Sequence, residues 1–171
     1  MNRRIWKWLL RGYAVILFLV AASYFGYYYY VGISWGLRDG AAGLMISDGP
    51  LLLLVPTAAA VFMRHFSGWW MHMIFFSYLL IGKLIGIAAN LFLLSTGLIV
   101  DAEGGTNYFV EVNYMLLYTA ALFLFSLKPV RNQFGLKKGR RRMFYPFWVG
   151  GAALLLYAVH LTAIYVYFHL I

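Results

Sequence analysis

The chain has no cysteine. That excludes disulfides, thiolate nucleophiles, thiolate zinc sites and iron–sulfur clusters. It is also short of acid, with five Asp and Glu against fourteen Lys and Arg in 171 residues. Charged residues of both signs make up 11%, where ordinary soluble domains carry roughly 25%. No glycine-rich loop joins a strand to a helix to cradle phosphate. Hydrocarbon fills the space left, since 64% of the residues are hydrophobic. Such a composition describes a membrane protein. The net charge of +9 would suggest nucleic acid in a soluble chain. Here the position of the charge matters more than its sum, and no nucleic-acid partner is expected.

The longest apolar stretch runs from Trp69 to Gly97 and has one lysine, Lys83, at its middle. It can cross a bilayer, for which about 20 apolar residues suffice. A charge at that depth costs about 2.5–3.5 kcal/mol on insertion scales. His72, Lys83 and Asn90 are spaced by 11 and then 7 residues. At about 100° per residue they share one helix face. His65 joins them if the helix starts early enough. Gly82 and Gly86 form a small-xxx-small pattern that permits close helix approach. The spacing predicts a central helix with its polar stripe turned inward.

The rest of the chain predicts four more spans. Residues 9–33 follow a basic collar of Arg3, Arg4, Lys7 and Arg11 with Trp6 and Trp8 between them. The apolar run is too long for a signal-peptide core, so a retained first span is expected. It ends in Tyr27, Tyr28, Tyr29 and Tyr30, an aromatic belt at the far interface. Span 48–63 opens on Asp48-Gly49-Pro50, with Asp as N-cap and Pro in the first turn. Pro56 predicts a kink that frees a carbonyl near Leu52 or Leu53. Ser67-Gly68 predicts a tight turn into span 69–97. Spans 108–127 and 145–168 follow, separated by a polybasic loop. The fold class expected is all-α: a single five-span helical bundle over residues 1–171, without internal repeats.

Counting charges orients the bundle. With the N-terminus inside and the C-terminus outside, 12 of the 14 basic residues fall on the inner side. Seven of them, Lys128, Arg131, Lys137, Lys138, Arg140, Arg141 and Arg142, lie in the last loop without an acid. All five acids, Asp39, Asp48, Asp101, Glu103 and Glu111, fall outside or at the outer edge. The polybasic loop fixes orientation first. Contact with anionic lipid head groups or an acidic partner adds to that role.

Little catalytic chemistry is on offer. His72 and His160 sit at different heights, about 4 and 22 Å from the inner end, which disfavours a bis-histidine haem. His65 and His72 have no carboxylate near them, a weak metal set. Gly32-Ile33-Ser34-Trp35-Gly36 matches the nucleophile-elbow letters. It follows a membrane helix and not a strand, so it reads as a glycine-rich helix exit. No cofactor and no metal are expected. Lys83, Asn90, His160 and His72 remain as an intramembrane polar cluster, with Lys83 and His160 at nearly one height. Asp48 and Glu111 are the acids within reach of Lys83. Two roles stay open for the lysine: an ion, proton or quinone-head-group site, or a lock that holds helices in register.

Three stretches, YFGYYYYVGISW, ISDGPLLLL and SYLLIGKLIGIAANLF, resemble the YpjA-like family of small bacterial membrane proteins. The matching positions are Gly26 to Tyr30, Asp48 to Pro50, and Lys83 with Gly86. Tyr29 stands where the family has tryptophan. The likeness covers about 70 of the 171 residues. It implies no established activity. It does imply a bacterial cell-membrane protein and an accessory subunit near the menaquinol–cytochrome c reductase, because the family's genes often neighbour that complex. The leading expectation is therefore a non-catalytic accessory subunit of a respiratory membrane complex. The alternative is a small transporter or channel component that uses Lys83, Asn90 and His160.

The absence of cysteine makes the topology directly testable. A single cysteine at position 138 should resist an impermeant maleimide in intact cells and react after permeabilisation. One at position 104 should react in both. The reverse pattern would overturn the orientation.

Overall fold

The computed structural model describes residues 3–35, 46–98, 107–136 and 145–170. Among them there are helices and no strands. The elements are α1 (Arg3–Ser34), a 3-10 turn (Gly49–Leu53), α2 (Leu54–Phe62), α3 (Phe66–Ser95), α4 (Tyr108–Ser126), α5 (Lys128–Gln133) and α6 (Tyr145–Leu170). By length and composition α1, α3, α4 and α6 can each cross a membrane.

The second expected span differs from the other four. It consists of 5 residues of 3-10 helix followed by 9 of α-helix. At the rises of those two helices it covers roughly 24 Å, less than the ~30 Å of a hydrocarbon core. Two expectations about it need correction. Asp48 precedes the 3-10 turn but makes no side-chain cap bond. Pro56 does not kink a continuous helix. It lies in the first turn of α2, where its missing N–H has no partner to lose, and the 3-10 to α junction falls just before it.

Apolar periodicity explains the packing. On α1, Leu10, Ala14, Leu17 and Ala21 form a stripe at steps of four, three and four, and all are buried. Leu54, Ala58 and Val61 form the answering stripe on α2. These two helices pack together, and α3 packs in turn on α2, α4 and α6. The contacts are rich in alanine (Ala14, Ala21, Ala58, Ala60, Ala121 and Ala153 are all buried), which brings helix backbones close.

One core layer joins Trp6, Leu10 and Ala14 to Val61, Trp69, Phe125, Val130, Phe134, Leu136 and Val149. It therefore collects the start of α1, the end of α2, the start of α3, the end of α4 and the start of α6 at one end of the bundle. The helices alternate in direction. Arg4, Lys7, Arg11, Arg64, Lys128 and Arg131 consequently share that end with one another. Trp8, Phe147 and Trp148 are exposed there. Trp6, expected beside Trp8 in the collar, is instead buried in the core layer.

The polybasic stretch also begins differently from a plain loop. Its first residues form α5, because Val130, Phe134 and Leu136 find the core layer. Gly135, at φ +72°, ends that turn. The α2–α3 connection is Met63 to His65, with Arg64 at φ +55°. His65 stands outside the helix stripe. It caps α3, accepting at Nδ1 from the Ser67 N–H at 3.3 Å. Ser67 and Gly68 are thus the first turn of α3 and not the turn before it.

Gly68 is the glycine that close packing requires. A Cβ there would lie 2.6 Å from the Ala60 carbonyl carbon and oxygen and 2.8 Å from the Val61 nitrogen. At Gly82 the neighbour is the Tyr157 side chain, 3.4 Å away. At Gly86 nothing lies within 4 Å, so it does not mark a close helix contact as its spacing suggested. Gly68→Ala should therefore destabilise the hairpin by about 1–3 kcal/mol, the usual range for overpacking. Gly86→Ala should be neutral or stabilising by up to about 1 kcal/mol, through helix propensity. Thermal unfolding in detergent distinguishes the two. Equal effects would contradict the packing.

Candidate functional site

His72, Tyr78, Lys83 and Asn90 leave α3 at several levels, and each meets another helix. The stripe predicted from spacing faces α4. Nearest the basic end, His72 is fully buried. Its ring stacks on Phe125 of α4, with centroids 3.5 Å apart and planes 7° apart, and Phe76 covers the other side at 4.4 Å. Its Nε2 shares a 2.7 Å hydrogen bond with the Tyr13 hydroxyl of α1. At the same end the Trp69 indole N–H donates to the Phe125 carbonyl at 2.8 Å.

Half-way along α3, Lys83 meets Glu111. Its Nζ donates to Oε1 at 2.9 Å and lies 2.6 Å from Oε2. Glu111 is in the first turn of α4, where a carboxylate is favoured by the helix dipole. The ammonium also sits 5.2 Å from the Tyr114 ring centroid, a cation–π distance. The two side chains are 34% and 20% exposed, so the pair stands at the edge of the bundle. Further along, Asn90 Nδ2 donates to the Tyr108 hydroxyl at 3.0 Å. Asn107 caps the same end of α4 by accepting from the Val110 N–H at 3.3 Å.

Tyr78 leaves α3 toward α6. Its hydroxyl and His160 Nδ1 are 2.6 Å apart, and His160 Nε2 is 3.1 Å from the Ile46 carbonyl. A carbonyl only accepts, so Nε2 carries the proton and Nδ1 accepts from Tyr78. A neutral imidazole satisfies both bonds. Asp48 does not reach Lys83. It lies beside Tyr24 of α1, whose ring packs on Tyr28 with centroids 4.5 Å apart.

Tyr78, Lys83, Glu111 and His160 border one cavity. Its volume is about 540 Å³, and its walls include Ser47, Tyr78, Gly82, Lys83, Gly86, Glu111, Tyr118 and His160. Lys83 and His160, matched in height by sequence, do line a common space. His72 and Asn90 do not border it. Its size falls within the range of small-molecule sites. Chemically it offers a closed ion pair and a hydroxyl–imidazole pair that ends on a carbonyl. An ammonium held by a carboxylate is not a free base, and a carbonyl takes no proton onward.

The sequence missed the partners more than the cluster. Tyr13, Tyr78 and Tyr108 carry the hydrogen bonds, and tyrosines in apolar runs read as belt residues. The available signal was the count of 14 tyrosines, far more than two interfacial belts need. Ser34 of the elbow-like motif lies in the last turn of α1, a helical setting. Of the polybasic set, Lys128 and Arg131 are on α5, whereas Lys137, Lys138, Arg140, Arg141 and Arg142 lie outside the described residues. So do Arg38, Asp39, Asp101 and Glu103. No protein-family model matches the chain, nor does any curated protein or solved structure.

The ion pair generates a double-mutant prediction. Glu111→Gln leaves an unpaired lysine and should cost up to about 2.5–3.5 kcal/mol. Lys83→Met leaves the Glu111 carboxylate without its cation and should also destabilise, whereas replacing both partners at once should be close to neutral. Adding Lys83→Met to Glu111→Gln should recover most of the loss, whereas Asp48→Asn should show no coupling to Lys83. Thermal unfolding in detergent gives the coupling. Additive effects at Lys83 and Glu111 would refute the pairing.

Proposed function

We propose that this chain is a non-catalytic accessory subunit of a larger integral membrane complex. One observation carries the proposal: the polar side chains of α3 are engaged with neighbouring helices and not gathered around a reactive group. His72 is tied to α1, Lys83 and Asn90 to α4, and Tyr78 to α6. Such bonds fix helix positions. The helices' outward faces are apolar and aromatic, suited to lipid and to other membrane helices.

The finer parts rest on the sequence. They are five membrane segments with the N-terminus inside and the C-terminus outside, and a bacterial cell membrane. The segment 48–63 counts as the fifth because it runs between helices that alternate in direction, although it is short. The complex in this proposal is the menaquinol–cytochrome c reductase or a supercomplex containing it. That identification follows from the YpjA-like resemblance and from nothing in the geometry. Anionic head groups are the other partners, at the basic end. The chain itself carries no cofactor in this proposal.

A second reading has its own support. The cavity beside Lys83, Glu111, Tyr78 and His160 suits a transporter or channel component that works at mid-depth. The two differ in one experiment. The tagged chain is extracted from native membranes in mild detergent and fractionated by size, with an absorbance spectrum across the profile. The accessory role requires stoichiometric co-elution with a larger complex carrying haem absorbance, unchanged by Lys83→Met. A chain that elutes alone, and whose reconstituted vesicles pass protons only when Lys83 is present, would reverse the order of the two readings.

A further inference from the structure

A second groove lies on the opposite, basic half of the bundle, between α3, α4 and α6. It holds about 380 Å³. Met73, Leu80, Ile81, Leu84 and Leu122 line its length, and Arg131 and Tyr145 stand with Trp69 at its basic end. No acid is among the lining residues. Along α3 the groove extends from Trp69 to Leu84, a rise of about 22 Å. One leaflet of hydrocarbon is only about 15 Å deep. The shape is a slot for an extended chain, and the single charged group on its wall is a cation.

We propose that this groove holds one anionic glycerophospholipid of the inner leaflet, with an acyl chain along α3 and the phosphate at Arg131. Guanidinium suits a phosphate oxyanion because its N–H groups form a planar fork. Tyr145 offers a hydroxyl at the same end. Arg131 is on α5, and Tyr145 opens α6. Basic pockets between membrane helices on the inner side are a recurrent seat for acidic head groups. A phosphate ester with an acyl chain satisfies both ends of the groove, which a free phosphate does not. The site is separate from the Lys83 cavity and does not depend on the accessory role.

The test uses the full chain in nanodiscs of equal phosphatidylglycerol and phosphatidylcholine, released into native mass spectrometry to count retained lipid. Phosphatidylglycerol should be retained about fivefold over phosphatidylcholine, the ratio that corresponds to ~1 kcal/mol for one basic residue at the surface. Arg131→Gln should bring the ratio close to one. Gly150→Leu supplies an independent variant. Gly150 lines the groove, and a Cβ there meets nothing within 4 Å, so the larger side chain fills the slot without a backbone clash. It should reduce retention of both lipids while leaving thermal stability intact. Glycerol phosphate in solution should not displace the lipid. Equal retention of the two lipids by the wild type would overturn the proposal. So would a preference that survives both variants, displacement by glycerol phosphate alone, or native complexes in which a partner's helix is cross-linked into the groove in place of lipid.

Discussion

A polar side chain inside a bilayer gains most from a partner within the protein, and α3 finds such partners in several directions at once, with His72 Nδ1 left over. Apolar packing alone holds membrane helices together weakly, because lipid tails are as apolar as leucine. The bonds from α3 therefore carry positional information that its hydrocarbon faces lack. His72 to Tyr13 sets α1, Lys83 to Glu111 sets α4, and Tyr78 to His160 sets α6. Interhelical hydrogen bonds of this kind contribute about 0.6–2 kcal/mol each. The Lys83–Glu111 pair does more, since it offsets the insertion cost of a midspan charge.

The hydrogen bonds also account for the location of the cavity beside Lys83. Tyr78 leaves α3 toward α6, while Lys83 leaves it toward α4. The space between those two directions is bounded by Gly82 and Gly86, which add no side chain to fill it. A cavity arises where one helix serves two neighbours with long side chains and presents glycine between them.

Much of this was legible in the sequence, and the rest was hidden for identifiable reasons. The spacing of His72, Lys83 and Asn90 gave a common face, and all three do meet α4. Spacing does not say which helix a face meets, so the choice of Glu111 over Asp48 had to come from tertiary structure. Asp48 lies beside Tyr24 of α1 instead. The hydroxyl partners were hidden because tyrosine serves equally as belt, core and hydrogen-bond donor. The small-xxx-small motif misled in part. Gly82 faces Tyr157 and Gly86 faces open space, whereas the closest backbone approach is at Gly68, where no motif pointed. Pro56 looked like a kink because the 3-10 turn before it has no sequence signature distinct from an α-helix start.

The shortness of the 3-10 and α2 segment has a mechanical consequence. Its roughly 24 Å stands next to α1 and α3, which at 32 and 30 residues rise about 48 and 45 Å. A bilayer that wets all three helices must thin on the side of the short segment, or the long helices must tilt. Either adjustment costs fractions of a kcal/mol per ångström of mismatch. In a bilayer crossed by all three, the short segment would set the favoured thickness on its own flank, and thin bilayers would suit that flank better than thick ones.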